Sequence, residues 1–126
     1  MLPWLAFDSD GAVLGFAYAS PHRARAAYRW SVDSSVYVRS GTRHRGIAKA
    51  LYGALFELLR RQGYVNVYAG ITLPNPASVR LHESTGFSLV GTYARVGFKF
   101  GRWHDVTMRL TFPTGCDRTS GPNCIL

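Results

Sequence analysis

The chain has 126 residues, with 15 basic against 7 acidic side chains and a formal net charge of +8. This length predicts one domain with one core, because two independently folding units of half the size would each bury too little surface. Hydrophobic residues make up 47% of the chain and charged residues 17%, which excludes an intrinsically disordered body.

The apolar stretches are short, and the longest, such as residues 12–19, fall well below the roughly 20 residues that a membrane-spanning helix needs. The N-terminus shows no basic segment followed by a long apolar run, so it does not resemble a secretory signal. We therefore expect a cytoplasmic protein with no membrane partner. Cys116 and Cys124 lie in a Gly-, Ser- and Pro-containing tail, where we expect free thiols and neither a metal site nor a disulfide framework.

The basic excess comes mainly from arginine, and the arginines are scattered without a run of five or six like charges. Three interpretations are open: a solvated surface with a bias toward arginine, a site for a small phosphorylated ligand, or a nucleic-acid surface. No recognisable nucleic-acid-binding motif is present, so we expect no nucleic-acid partner.

A sheet is predicted to begin at the N-terminus. Residues 4–7 and 12–19 have the composition of two strands, and Asp10-Gly11 between them supplies the chemistry of a hairpin turn. Residues 29–39 alternate apolar and polar side chains and predict a third strand. Residues 21–28 form a basic connection between the second and third strands.

The clearest helix is predicted after a break at residues 40–46. Apolar residues recur at helical spacing from Ile47 to Leu59, and Gly63 is placed to stop the helix after about five turns. Residues 64–72 then alternate as a strand with one buried face.

A second helix is predicted with Asn75 as its N-cap and Pro76 in the first turn, and Gly86 ends it. Residues 87–98 and 106–112 predict two closing strands, separated by a loop at residues 99–105. The predicted order is β-β-β-α-β-α-β-β, an α/β fold with a mixed sheet and flanking helices.

The segment Arg43-His44-Arg45-Gly46-Ile47-Ala48 lies between a predicted strand and the first helix. The first N–H groups of a helix are unpaired and its dipole is positive there, so a loop with small residues lets a pyrophosphate approach closely. Gly46 and Ala48 provide the clearance, and Arg43 and Arg45 add positive charge. Glycines before helices are common, so this pattern is weak by itself.

A row of polar residues marks the second helix. Asn75, Ser78 and His82 are spaced so that they share one face over two turns. The alternative interpretation is that Asn75 and Ser78 only cap the helix while His82 is exposed.

These motifs together carry a family resemblance. Residues 35–38, 43–48 and 75–87 resemble the acetyl-CoA-binding core of the GNAT superfamily of N-acetyltransferases. Residues 25–38 and 97–106 are similar to its phosphinothricin and methionine sulfone/sulfoximine N-acetyltransferase branch. The resemblance runs from residue 3 to about residue 112, and it assigns residues 1–113 to the acetyltransferase domain and 114–126 to a flexible tail.

The resemblance implies acetyl-CoA as acetyl donor and no metal. The 43–48 loop would hold the pyrophosphate through backbone amides, Asn75 would contact the pantetheine arm with Ser78 nearby, and the strand end at Tyr37 and Val38 would offer an N–H to the thioester oxygen. The residues predicted to bind the cofactor are Val36, Tyr37, Val38, Arg43, His44, Arg45, Gly46, Ile47, Ala48, Asn75 and Ser78.

The same resemblance assigns catalytic roles to Asp33 and His82. Our hypothesis is direct transfer in a ternary complex, with Asp33 as base, directly or through water, His82 as acid or second base, and the Val38 N–H as oxyanion donor. The acceptor would be a small amino-acid-like amine held by Arg23, Arg25, Tyr28 and Tyr37, since guanidinium groups bind anionic oxygens in pairs.

Two departures from the branch affect the expected activity. Asp33 stands where the branch usually has Glu, which shortens the reach of the base by one methylene. The family also begins with a strand and two helices that have no counterpart before residue 3, so we expect an N-terminally incomplete domain. The alternative function is a truncated, weakly active or inactive CoA-binding or interaction protein. The resemblance also implies a homodimer.

Overall fold

The computed structural model describes residues 2–9, 11–39 and 46–112. Within them, six strands form one sheet in the order β1-β2-β3-β4-β6-β5. Only β3 and β4 are parallel, and every other neighbouring pair is antiparallel. The elements are β1 (Trp4–Ser9), β2 (Ala12–Pro21), β3 (Ser31–Val38), α1 (Ile47–Arg61), β4 (Asn66–Thr72), α2 (Pro76–Ser84), β5 (Ser88–Lys99) and β6 (Arg102–Thr111).

The predicted element order and the mixed α/β class are confirmed, with one short 3₁₀ turn at Ala26–Tyr28 added between β2 and β3. α1 is 15 residues long, about four turns rather than five. It ends as expected, because Gly63 has a φ of 86°, in the left-handed region that terminates helices.

The loop predicted at residues 99–105 is wrong. β6 begins at Arg102, and the connection to β5 is the two-residue turn Phe100-Gly101, with φ values of 52° and 74°. Positive φ at both central residues is the geometry of the tight turns that match the twist of a hairpin. The residue type at position 100 does not favour such a turn, because a bulky aromatic rarely occupies the left-handed region.

The core lies between α1 and one face of the sheet. Leu55 and Leu59 of α1 are fully buried with Val32 of β3 and Val67 of β4. α1 approaches β2 closely at Gly15, where an added Cβ would lie 2.8 Å from the Tyr37 carbonyl oxygen and 3.3 Å from carbons of the α1 side chains Ile47 and Leu51. Gly15 therefore fixes how closely the helix docks on the sheet.

Candidate active site

The parallel strands β3 and β4 separate along their length. They pair at three positions only, the last of which is Asp33 with Tyr68. Beyond that position β3 continues to Val38 and β4 to Thr72 without pairing with each other. The gap belongs to a cleft of about 590 Å³ whose lining includes Ser34, Ser35, Val36, Tyr37, Val38, Ala48, Tyr52, Gly70, Thr72, Asn75, Ser78, His82, Lys99 and His104.

The edge of β3 presents its backbone groups to this gap. The N–H of Arg39, just after β3, donates to the carbonyl of Leu14 in β2 at 2.7 Å. Because the N–H groups of successive strand residues point to opposite sides, the N–H groups of every second residue before Arg39 also point toward β2. The N–H groups of Val36 and Val38 therefore point the other way, into the gap. Tyr37 lies beside them with its ring exposed and in contact with Phe16, at a centroid distance of 5.0 Å.

The N-terminus of α1 borders the same cleft. Gly46 is its N-cap residue with a φ of 72°, and an added Cβ there would meet nothing within 4 Å. The first intrahelical hydrogen bond runs from Ala50 N–H to the Gly46 carbonyl, so the N–H groups before it have no partner within the helix. Ile47 is buried in the core and can offer a ligand only its backbone, whereas Ala48 lines the cleft.

The other three residues predicted in this loop, Arg43, His44 and Arg45, lie outside the described residues. So do Cys116, Cys124 and the whole tail from residue 114.

α2 brings its polar row to the cleft wall. Asn75 caps the helix by accepting a hydrogen bond from the Ser78 N–H at 3.2 Å, as expected. His82, two turns on, is 4% exposed. The alternative of an exposed His82 is therefore wrong, because α2 packs this ring against Tyr52 of α1 and against Phe87.

Both ring nitrogens of His82 are engaged. The carbonyl of Ser78 lies 2.7 Å from Nδ1 and can only accept, so Nδ1 carries the proton. Nε2 is then the acceptor for the Tyr52 hydroxyl at 2.8 Å. Burial lowers the pKa of His82 below its ordinary 6.5, and the positive charge of Arg109 lowers it further. The hydrogen bond to the Ser78 carbonyl acts in the opposite direction and raises this pKa, but burial has the larger effect. The ring is therefore held in its neutral form, with the proton on Nδ1 and Nε2 as the acceptor.

Tyr52 and Ser34 complete this network, and neither was predicted as a site residue. Burial raises the pKa of the Tyr52 phenol to about 12, so it stays a neutral donor. Ser34 Oγ lies 3.2 Å from the Tyr68 carbonyl and 3.5 Å from the Tyr52 hydroxyl. Tyr52 falls in the apolar stripe of α1 and reads as a core aromatic. The one feature that could have indicated a role was its hydroxyl, because a buried tyrosine hydroxyl usually forms a hydrogen bond.

Asp33 lies on the opposite face of the sheet from His82. Side chains alternate along a strand, and because Ser34 faces Tyr52 of α1, Asp33 faces away from that helix. We call this side the outer face. There the Asp33 carboxylate meets His22, with Nδ1 to Oδ1 at 2.6 Å. His22 was not predicted as a site residue.

The two faces meet at the gap. Asp33 and Tyr68 form the last pair before the strands separate, and consecutive residues of β3 with side chains on alternate faces line the cleft beyond it. Asp33 therefore stands at the closed end of the gap on the outer face, while the Tyr52–His82 pair stands on the α1 side.

Two of the predicted acceptor residues, Arg23 and Tyr28, contact His22. Tyr28 contacts the His22 ring edge-on, with centroids 6.4 Å apart. Arg23 is exposed and donates to the His22 carbonyl at 2.9 Å, and Arg25 is also exposed. Of the four predicted acceptor residues, only Tyr37 is among the residues that line the cleft.

In the part of the chain that the structure describes, no three His, Cys, Asp or Glu side chains group as a metal site would require. Neither described helix has the length and apolar content needed to cross a bilayer.

Comparison with known proteins identifies the fold family. The family described as "Acetyltransferase (GNAT) domain" matches residues 2–108. A phosphinothricin N-acetyltransferase from Streptomyces viridochromogenes is 46% identical over 104 residues, covering 82% of this chain and 57% of that protein. An L-methionine sulfoximine/L-methionine sulfone acetyltransferase from Salmonella typhimurium is 38% identical over 105 residues, covering 83% of this chain and 61% of that protein.

A solved structure gives the same result. The crystal structure of a GNAT superfamily phosphinothricin acetyltransferase from Sinorhizobium meliloti in complex with acetyl-CoA superposes with a TM-score of 0.83 at 38% identity, covering 88% of this chain and 60% of that one. The chain thus spans less than two thirds of the length of these relatives. The match over most of its own residues nonetheless shows that the chain belongs to the GNAT family of acetyltransferases.

Proposed function

We propose that this chain is an acetyl-CoA-dependent N-acetyltransferase that acetylates the amino group of a small amino-acid-like substrate, of the phosphinothricin or methionine sulfone/sulfoximine type. Transfer occurs by direct attack in a ternary complex. The observation that carries the proposal is the separation of β3 from β4 beside the N-terminus of α1, with the Tyr52–His82 pair in the same cleft.

The cleft fits the chemistry of acetyl-CoA. The edges of β3 and β4 offer unpaired backbone groups to an extended arm that contains amides, much as a sheet edge accepts an added strand. The N–H groups at the start of α1, which have no partner within the helix, and the open space at Gly46 suit a pyrophosphate, to which Arg43, His44 and Arg45 would add positive charge or donors. When bound, acetyl-CoA supplies an acetyl group activated as a thioester.

Three groups of this chain divide the chemical work. Asp33 takes the proton that an ammonium must lose before its nitrogen can attack. The N–H of Val38, aimed into the gap, stabilises the negative charge that develops on the carbonyl oxygen. His82 is neutral, and as second base it accepts the Tyr52 hydroxyl proton at Nε2 while that hydroxyl takes a proton from the reacting amine. As acid, His82 returns the proton through Tyr52 to the departing CoA thiolate.

Acceptor binding falls to the outer face. Arg23 and Tyr28 contact His22, the partner of Asp33, and Arg25 lies in the same connection between β2 and β3; the guanidinium groups of the two arginines can pair with carboxylate, phosphinate or sulfone oxygens. Tyr37 stands at the cleft itself. The relatives named above act on substrates of this type, which supports the choice of acceptor.

The test combines a binding measurement with a thiol-release assay. Calorimetry with acetyl-CoA measures binding, and release of the CoA thiol is followed with phosphinothricin, methionine sulfone and methionine sulfoximine. We expect binding and turnover with at least one of the three. Binding without turnover would instead support the alternative of an inactive CoA-binding protein.

The roles of Asp33 and His82 are tested in the same assay at saturating acetyl-CoA. Asp33→Asn and His82→Gln should each lower kcat by about 100-fold or more while binding persists. Asp8→Asn makes the same charge change on an exposed residue of β1 and should leave kcat unchanged. Wild-type rates in both site variants would refute the assignment.

A further inference from the structure

We propose that His22 is a positioning residue that holds the Asp33 carboxylate in place for proton abstraction from the acceptor amine. The inference rests on the proposed acetyl transfer and assigns a role to a residue that the sequence motifs did not single out. It follows from the contacts of the His22 ring on the outer face.

The first contact is the hydrogen bond to Asp33. Nδ1 of His22 lies 2.6 Å from Oδ1 of Asp33, and a carboxylate acceptor makes such a hydrogen bond short and strong. The carboxylate is 38% exposed, so it remains within reach of a ligand, whereas the His22 side chain is only 15% exposed. A flexible exposed carboxylate would sample several rotamers, and this bond selects one of them.

The ring of His22 is itself held on two further sides. It stacks on Tyr68 with centroids 4.2 Å apart and an interplanar angle of 16°, and Tyr28 meets it edge-on. The backbone N–H of His22 also donates to the Ser31 carbonyl at 3.4 Å, which holds the His22 backbone at the start of β3. The imidazole therefore has a defined position over Tyr68, the residue that pairs with Asp33 at the closed end of the gap.

This arrangement distinguishes the two carboxylate oxygens. Oδ1 is occupied by His22, and among the described residues Oδ2 has no hydrogen-bond partner. Oδ2 is therefore the oxygen that accepts the proton. In that step one N–H bond of the ammonium breaks and one O–H bond forms at Oδ2, while Nδ1 keeps its proton and continues to donate to Oδ1. Proton transfer depends on geometry at the level of about 1 Å, so a carboxylate that loses its anchor reacts slowly.

Two substitutions separate the hydrogen bond from the packing. His22→Phe retains a ring that can stack on Tyr68 but removes the donor to Asp33. His22→Asn places an amide N–H near the position of Nδ1 and loses the ring. Steady-state kinetics by thiol release give kcat and the KM for acetyl-CoA, and thermal unfolding by circular dichroism compares the stability of the two variants.

We expect His22→Phe to lower kcat by about 10- to 100-fold with the KM for acetyl-CoA unchanged. His22→Asn should recover kcat to within a few-fold of the wild type, even if it is the less stable variant, because the donor is restored. A role in packing alone predicts the reverse order, with His22→Phe the more active of the two.

Wild-type kcat in an active, folded His22→Phe variant overturns this inference and leaves the proposed function intact. Failure of the wild-type chain to acetylate any of the three amines overturns the proposed function, and this inference with it.

Discussion

Replacement of Tyr52 by Phe removes a single oxygen from the interior of the site. Tyr52 is 1% exposed, and its hydroxyl donates to His82 Nε2 at 2.8 Å. The Phe ring can keep the stacking on Phe56, whose centroid lies 5.1 Å away, so the change opens almost no cavity. Ser34 keeps its bond to the Tyr68 carbonyl. What remains is a buried imidazole nitrogen without its donor, which costs about 1–3 kcal/mol of the free energy of unfolding.

The same substitution tests the proton path. With a pKa raised to about 12, the Tyr52 phenol is a neutral donor throughout the working pH range of an enzyme assay. If His82 receives its proton through this hydroxyl, Tyr52→Phe should lower kcat by about 10- to 100-fold and leave the KM for acetyl-CoA within a few-fold of wild type. Guanidinium unfolding and the thiol-release assay measure the two effects separately.

Tyr93→Phe is the matched control, because Tyr93 is 54% exposed on β5 and its hydroxyl can be solvated by water. It should change neither stability nor rate. If Tyr52→Phe unfolds at the wild-type midpoint, the hydroxyl does not satisfy His82. If it is destabilised but turns over at the wild-type rate, Tyr52 is structural and the proton reaches His82 by another route.

Two further predictions concern the pH dependence of stability and the start of α1. Because the folded protein holds the pKa of His82 below the 6.5 of an unfolded histidine, the unfolded chain binds more protons once the pH falls below about 6.5. The free energy of unfolding should therefore decrease as the pH falls below about 6.5. The variant His82→Gln has no group that titrates at this position. An equally steep decrease in that variant would rule out His82 as the cause. At the start of α1, Gly46→Ala forces a side chain into a φ of 72° and should cost about 1 kcal/mol while raising the KM for acetyl-CoA. The control is Gly53→Ala, at an exposed position of α1 where an added Cβ meets nothing within 4 Å; it should stabilise the protein by about 0.5–1 kcal/mol. If both glycine substitutions change the free energy of unfolding by the same amount, the positive φ of Gly46 is not the cause.

The local part of the fold could be predicted because it depends on local chemistry. Asn75 followed by a proline in the first turn is sufficient to start α2, and Gly63 is sufficient to stop α1. Alternation of apolar residues located the strands on either side of α1. The failure at residues 99–105 has the same origin, because nothing local favours Phe100 in a left-handed turn. The two strands that flank the turn, β5 and β6, pair with each other and so keep Phe100 in this conformation.

The candidate site divides in the same way. The sequence by itself determined that Asn75, Ser78 and His82 share one face of α2, since helical spacing alone places them there. Only the tertiary structure decided that His82 meets Tyr52, 30 residues earlier, and that Asp33 of β3 meets His22, the residue that follows β2. These contacts arise from how α1 docks on the sheet and from the register of β2 against β3. Both contacts join residues that lie far apart in the sequence, so neither helical nor strand spacing could predict them.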